Sequence, residues 1–271
     1  MTQRQDFDGR VALVLGASAE RGTGWAVAEA LAANKARVVV GARSLEPLQK
    51  LAVKIDGHAV RCDVTSEQDI ENIVAATVER YGRIDFAVNC AGLPVMGPIS
   101  ELGSESVELA LRVNYYANFY FLKHAAAAMS DGGSVVVVTS AGSTHVIPPH
   151  FAYSCAKAAA DCLVRYGALE YGPRNIKVNS IVPGAILSDM AWSYYSNPAV
   201  AQVHEREVPM RRLAMPADIA DAVLWLCGPS FTTGLNLQVN GGNHLTRYPR
   251  PDELPADAFE GAGTVLFDRG Q

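Results

Sequence analysis

The 271-residue sequence predicts a single α/β domain of the doubly wound kind, a seven-stranded, mainly parallel sheet with helices on both faces. Three observations carry this reading. Seven short apolar runs, several rich in valine, recur along the chain. Helical patterns separate most of them. The runs are apolar at nearly every position rather than at alternate ones, as strands are when helices cover both faces of a parallel sheet.

Val11–Leu15 is five apolar residues in succession and reads as the first strand. Trp25–Ala33 sets Ala26, Val27, Ala30 and Leu31 at helical spacing. Arg37–Gly41, with three consecutive valines, is a strand, Leu45–Ile55 a helix and Ala59–Cys62 a short strand. Ser66 followed by Asp69 resembles a capping box with Asp in place of Glu, opening a helix to about Tyr81. Phe86–Asn89 is a strand, and Ser104–Met129 reads as one long helix. Ser134–Thr139, with four valines, is a strand. Ala152–Tyr171 is a helix, Lys177–Ile181 a strand, Ala217–Cys227 a helix and Leu235–Val239 the last strand. No internal repeat, low-complexity stretch or linker divides residues 1–246. Residues 247–271 differ: Pro249, Pro251 and Pro255, several acids and little periodicity suggest an extended arm.

Composition excludes some functions. Apolar residues make up 49% and charged residues 19%, near the globular average, and a chain this long can bury a core without disulfides or metals. The net charge is −5 and no basic block occurs, which argues against nucleic acid and anionic membrane as partners. Cys62, Cys90, Cys155, Cys162 and Cys227 form no Cys-x-x-Cys pair and read as reduced core residues of a cytoplasmic protein. The N-terminus has no apolar h-region, no apolar run approaches a membrane span, and no His, Asp or Glu cluster has metal spacing.

Between the first strand and its helix lies Gly16-Ala17-Ser18-Ala19-Glu20-Arg21-Gly22-Thr23-Gly24. Glycines permit a tight turn and let backbone approach a pyrophosphate, while the helix N-terminus offers free N–H groups to the anion. At the end of the second strand, where NAD enzymes of this fold carry an acid for the ribose 2′-hydroxyl, the sequence reads Val40-Gly41-Ala42-Arg43. Arg43, helped by Arg21, suits a 2′-phosphate, which favours NADP(H) and leaves NAD(H) as the alternative. Asp63, after the third strand, could accept from an adenine amino group.

Tyr153 and Lys157 stand at i, i+4 on one face of a helix. A phenol titrates near 10, and bringing it to neutrality requires roughly 4 kcal/mol of differential stabilisation, which a close ammonium and a nicotinamide's charge could supply in a dry site. Thirteen residues upstream, Ser140 ends the valine strand, where a hydroxyl can donate to a substrate carbonyl oxygen.

Together Gly16, Gly22-Thr23-Gly24, Asp63, Asn89-Cys90-Ala91-Gly92, Asn114, Ser140, Tyr153-x-x-x-Lys157 and Pro183-Gly184 resemble the short-chain dehydrogenase/reductase family from about Gly9 to Leu245. The resemblance implies a Rossmann-like domain with Tyr153 as general acid/base, Lys157 as its pKa-lowering partner and ribose ligand, and Ser140 orienting the substrate oxygen. Asn114 would bind a water linking Lys157 to solvent. Gly16, Ser18, Arg21, Gly22, Gly24, Arg43, Asp63, Val64, Asn89, Ala91, Gly92, Tyr153, Lys157, Pro183, Gly184, Ile186 and Ser188 would line the dinucleotide, the last two at its carboxamide. Family members pair as tetramers or dimers through two long helices, here Ser104–Met129 and Ala152–Tyr171. The glycine loop is two residues longer than usual between Gly16 and Gly22, Leu15 stands where Thr is usual, Asn240 where Asp is usual and Ser188 where Thr is commoner. The long loop with Trp25 resembles the related enoyl-acyl-carrier-protein reductases. Those separate Tyr and Lys by six positions, so a secondary alcohol or ketone substrate is favoured over C=C reduction.

Residues 144–150 and 191–195 are expected to shape a substrate pocket, with Ser140, His145, His150, Tyr153 and Trp192 touching a hydrophobic or ring-containing small molecule. A non-catalytic dinucleotide-binding regulator is a third reading, but its signature would be a broken Ser–Tyr–Lys set, and the set is intact.

Overall fold

The computed structural model describes residues 6–130, 132–255, 258 and 265–266. In chain order the elements are β1 (Val11–Leu15), α1 (Thr23–Ala33), β2 (Arg37–Ala42), α2 (Leu45–Lys54), β3 (His58–Arg61), α3 (Glu67–Tyr81), β4 (Phe86–Asn89), β5 (Val95–Met96), α4 (Ser104–Leu111), α5 (Ala117–Ala128), β6 (Gly133–Val138), α6 (Phe151–Tyr171), β7 (Ile176–Pro183), α7 (Trp192–Tyr195), α8 (Pro198–Glu207), α9 (Pro216–Cys227), β8 (Asn236–Val239) and β9 (Val265–Leu266). Seven strands form one sheet in the order β3-β2-β1-β4-β6-β7-β8, every pairing parallel. The expected fold class holds, with strand ends displaced by a residue or two.

Alternate residues of a buried strand serve opposite layers. Ala12 and Val14 of β1 join Val38, Val40, Val136 and Val138 beneath α1, α2 and α9. Leu13 and Leu15 join Val39, Val135 and Val137 beneath α3, α5 and α6. A run that is apolar at every position is what this division requires.

Register decides where the site lies. Leu15 pairs with Gly41 on one side and Asn89 on the other, and Val138 pairs with Ile181. The chain therefore leaves β1, β2, β4, β6 and β7 along one edge of the sheet, bringing residues 16–24, Arg43, 90–92, Ser140 and Gly184 to that edge. Strand order reverses between β1 and β4, where a doubly wound sheet opens its crevice.

Two features depart from expectation. The helix expected over Ser104–Met129 is interrupted by a π-helical turn, Arg112–Tyr116. Asn114 is its buried residue, and its side-chain Nδ2 donates to the Ala110 carbonyl four residues back (3.0 Å), competing for a group the helix ladder would use. Second, α8 went unread, although Asn197 caps it by accepting from the Ala199 amide and Pro198 opens it. Of the expected arm 247–271, only residues 247–255, 258 and 265–266 lie among the described residues: Arg247 pairs with Glu207 of α8, and Val265–Leu266 adds a strand beside β5.

Close approach explains two loop glycines. Gly16 has φ +78°, and a Cβ there would lie 2.5 Å from the Ala91 amide nitrogen. A Cβ on Gly24 would lie 2.3 Å from the Gly16 carbonyl oxygen. Both contacts are backbone and cannot swing away. Gly24→Ala is expected to cost about 1–3 kcal/mol, lowering Tm by roughly 3–10 °C for a domain of this size. A thermal melt within about 1 °C of the parent would show that the loop yields.

Candidate active site

Ser140 leaves the sheet in extended backbone just past β6 and its Oγ accepts from the Gly142 amide (3.1 Å), which turns the hydroxyl outward from the strand tip. The loop then runs to α6, whose first turn carries Tyr153. One turn later Lys157 points inward and is 2% exposed. Its Nζ donates to the carbonyl of Val138, the last residue of β6, at 2.9 Å, and stands 5.6 Å from the Tyr153 ring centre. Helix periodicity thus places phenol and ammonium on one face, while the sheet supplies the carbonyl that holds the ammonium.

Burial pushes Lys157 down to about 8, with the Asp161 carboxylate one turn further along acting in the opposite sense. Burial also pushes the Tyr153 phenol up, and the neighbouring Ser140 hydroxyl, by hydrogen bonding, pulls it back down. The ammonium is engaged with Val138, and desolvation of the phenol outweighs the Ser140 bond. In this state the phenol keeps its proton.

Behind these groups runs a buried chain of amides. Asn89 Nδ2 donates to Asn118 Oδ1 (2.8 Å), and Asn118 Nδ2 donates to the Asn114 carbonyl (2.8 Å). Asn114 Nδ2 donates to Leu93 O (3.0 Å), and Leu93 N donates to Asn114 Oδ1 (3.1 Å). Asn89 Oδ1 also accepts from the Ala91 amide (3.0 Å). The asparagines hold the segment between Cys90 and Leu93 against the helix. A Cβ on Gly92 would lie 3.4 Å from both Asn114 Oδ1 and Lys157 Nζ, so Gly92 leaves the ammonium uncovered. Asn118 was not read from the sequence; its only signal was the i, i+4 spacing from Asn114.

Across the edge, α1 begins after Gly22 without a side-chain cap, leaving its first amides free. Ser18 lies half-buried in the loop, and Arg43 projects into solvent with no hydrogen bond or ion pair among the described residues. Asp63 Oδ1 caps its own turn by accepting from the Thr65 amide (3.0 Å) and hydroxyl (2.8 Å). Burial raises the Asp63 pKa, but those two bonds and the Arg43 and Arg61 charges outweigh it, so the carboxyl is held below its usual range. Val64 is buried beside it. Pro183 closes β7, Gly184 follows, Ile186 bridges Ala214, and Ser188 is buried. These residues fit an extended dinucleotide: a glycine cradle that any Cβ would fill, free helix amides, and a solvent-facing guanidinium at the tip of β2.

Arg21 has partners of its own in this structure. Its backbone amide and Nε both reach the Asp189 carboxylate (2.9 and 2.7 Å), and its guanidinium lies 4.1 Å over the Trp192 ring. The lengthened glycine loop thus clasps the segment after β7, and Arg21 is occupied there. Trp192 itself is exposed.

A cavity of about 170 Å³ opens over Ser140 and Tyr153. His150 lines it, as expected; Trp192 and His145 do not. His145 stands one layer out, its ring 6.1 Å from that of Tyr248. Tyr194 and Tyr195 of α7, inside the 191–195 segment expected to shape the pocket, also line it; the lining residues that sequence reasoning missed include His204 from α8 and Tyr248 and Leu254 from the C-terminal segment. Nothing local in the sequence marks Tyr248, which lies far along the chain from Tyr153. Burial holds the His150 and His204 imidazoles below their ordinary pKa, so both are neutral at pH 7.

Known proteins resemble this chain over most of its length. The profile of a family described as Enoyl-(Acyl carrier protein) reductase matches residues 16–244. The chain is 34% identical over 245 residues to 7alpha-hydroxysteroid dehydrogenase of Escherichia coli, covering 87% of this chain and 94% of the relative. It is 32% identical to versicolorin reductase 1 of Aspergillus parasiticus, covering 89% and 99%. Among solved structures, a short-chain type dehydrogenase/reductase from Mycobacterium ulcerans superposes with a TM-score of 0.87 at 29% identity, covering 90% of this chain and 93% of that one. A single-substitution variant of actinorhodin polyketide ketoreductase with NADPH superposes with a TM-score of 0.81 at 29% identity, covering 90% and 99%.

The depressed pKa of Lys157 has a consequence for stability. A lysine held at about 8 in the fold and near 10.4 when unfolded costs about 3 kcal/mol wherever it is charged in both states. Lys157→Met removes that cost and forfeits one hydrogen bond of about 1 kcal/mol. The variant is expected to melt several degrees above the parent below pH 8, the gap narrowing as pH rises towards about 10.4 and the parent lysine discharges in the unfolded chain as well. Equal melting at neutral pH would show that the ammonium is not desolvated.

Proposed function

This chain belongs to the short-chain dehydrogenase/reductase family of oxidoreductases acting on alcohols and ketones, and from that we propose that it moves a hydride between NADP(H) and the carbon of a hydrophobic, ring-containing secondary alcohol or ketone. One observation carries the reading: a serine hydroxyl and a protonated phenol share one wall of a mainly apolar cavity, with a buried ammonium one helical turn behind.

When bound, the dinucleotide would supply or accept the hydride. Everything else falls to the chain. In ketone reduction the Ser140 hydroxyl donates to the carbonyl oxygen where negative charge develops, and the Tyr153 phenol delivers its proton to that oxygen. Lys157 opposes the phenolate this leaves behind, and Asn114 keeps the neighbouring backbone open beside it. The reverse sequence oxidises an alcohol. Gly16, Gly22 and Gly24 with the α1 amides would hold the pyrophosphate, Arg43 the 2′-phosphate, and Asp63 the adenine. The absence of an acid at the end of β2 supports NADP(H) over NAD(H). The names of the hydroxysteroid, versicolorin and dichloro-cyclohexadiene-diol relatives support a ring substrate. The four-residue Tyr–Lys step with Ser140 supports carbonyl over C=C chemistry.

We further propose that copies pair through α5 and α6. Tyr116 and Phe119 at the start of α5, and Tyr166 and Leu169 on α6, leave apolar surface in solvent on neighbouring helices.

Titration with NADPH and NADH is expected to show tighter NADPH binding, and Arg43→Ala is expected to weaken NADPH by roughly ten- to a hundredfold while sparing NADH. Equal affinities in the parent would remove the NADP assignment. Tyr153→Phe is expected to cut ketone turnover at least about a hundredfold with dinucleotide affinity nearly unchanged. In the parent, reduction is expected to fall as pH rises through about 8, where Lys157 loses its charge. Activity above a tenth of the parent's in the phenylalanine variant would take Tyr153 out of the proton-transfer role.

A further inference from the structure

The cavity over Ser140 and Tyr153 is walled on several sides by Pro94, Met96, Ile147, Met190 and Leu254. Among the described residues that line it there is no Lys, Arg, Asp or Glu, and both of its histidines are neutral at pH 7. A carboxylate or phosphate entering this space would lose its water with no cation to meet it. The cavity is nevertheless not purely apolar. Tyr248, arriving from the C-terminal segment, presents its ring as part of the wall, and its hydroxyl lies beside Gly184, where a Cβ would come within 3.4 Å of it. Among the described residues no group hydrogen-bonds that hydroxyl. It faces the same space as Tyr153, close enough for a charge on Tyr153 to be felt at Tyr248.

A half-buried phenol with an apolar surround and no partner among the described residues is held where a ligand oxygen can complete it. Burial pushes its pKa up, so it offers a neutral O–H donor and acceptor rather than a charge. Resting on the ring-ketone reading above, we infer that Tyr248 is a specificity-determining residue for an uncharged ring substrate carrying a second oxygen function. The Tyr248 hydroxyl bonds that second oxygen while Ser140 and Tyr153 act on the first. Residues 248–254 are therefore part of the substrate site, tied down by the Arg247 bridges to Glu207 and Glu253.

The test uses the full chain with NADPH and three ketones on one bicyclic frame: α-tetralone, a hydroxy-α-tetralone and a carboxy-α-tetralone. The hydroxylated ketone is expected to exceed the plain one in kcat/KM by about tenfold, mainly through KM, and the carboxylated one to be poorest. In Tyr248→Phe, which keeps the ring and its packing, the hydroxy-to-plain ratio is expected to fall towards one. Calorimetric titration of the same pair into parent and variant reads the contact without turnover. Hydroxyl preference that is absent in the parent, or that survives in Tyr248→Phe, overturns the inference while leaving ketone reduction intact. Failure to reduce any of the ketones with either dinucleotide counts against the oxidoreductase reading instead. In that event the calorimetric comparison still decides on Tyr248: equal affinities of the hydroxylated compound for parent and variant reject it.

Discussion

A lysine ammonium buried against the end of a central strand is the constraint around which this molecule is arranged. The bond from Lys157 Nζ to Val138 O ties α6 to the tip of β6 and fixes how deeply the helix sits. Because Tyr153 is one turn up the same helix, that bond also sets the height of the phenol above the sheet. Ser140 is two residues beyond the accepting carbonyl, so hydroxyl and phenol are placed by one contact from two directions. Keeping a cation in such a place is costly, and the surroundings reflect it: Gly92 withholds a side chain, and Asp161 adds an opposing charge. The cost is the kind that functional sites carry against stability.

The two sides of the crevice are built by different means. The dinucleotide side is backbone: glycines that admit no Cβ, uncapped helix amides, and a loop held by a ladder of asparagine amides. Such parts are set by φ/ψ and by close approach, and they come from strand ends that parallel register brings to one edge. The substrate side is assembled largely from side chains on segments outside the seven-stranded sheet, namely 147–150, 190–204 and 248–254. The clasp of Arg21 on Asp189 and Trp192 joins the two sides, so the longer glycine loop contributes to positioning the segment after β7.

Where local pattern and chemistry coincide, reading the residues was sufficient. The valine runs told of a sheet buried on both faces, because burial on both faces abolishes alternation. Tyr153 and Lys157 could be paired because helix periodicity is local. The glycine loop could be placed because a tight turn between strand and helix has a composition. The break at Arg112–Tyr116 was not legible, since it arises when Asn114 bonds Ala110 and the distant Leu93 at once. The sign of the shift at Tyr153 was also hidden: it depends on how dry the phenol is and on where Lys157 places its hydrogen bond.

The order of chemistry along the crevice was already written in the chain: a glycine loop, an arginine without an accompanying acid, a serine at a strand tip, and a tyrosine one turn before a lysine. Each is a short-range pattern, and a short-range pattern survives without knowledge of the fold. Long-range packing alone turns Arg21 to Asp189, leaves Trp192 outside the cavity and brings Tyr248 inside it. Those placements follow from which segments lie over the strand tips. That packing joins Arg21 to Asp189 across 168 positions and to Trp192 still further along the chain, and no spacing rule reaches across such a gap.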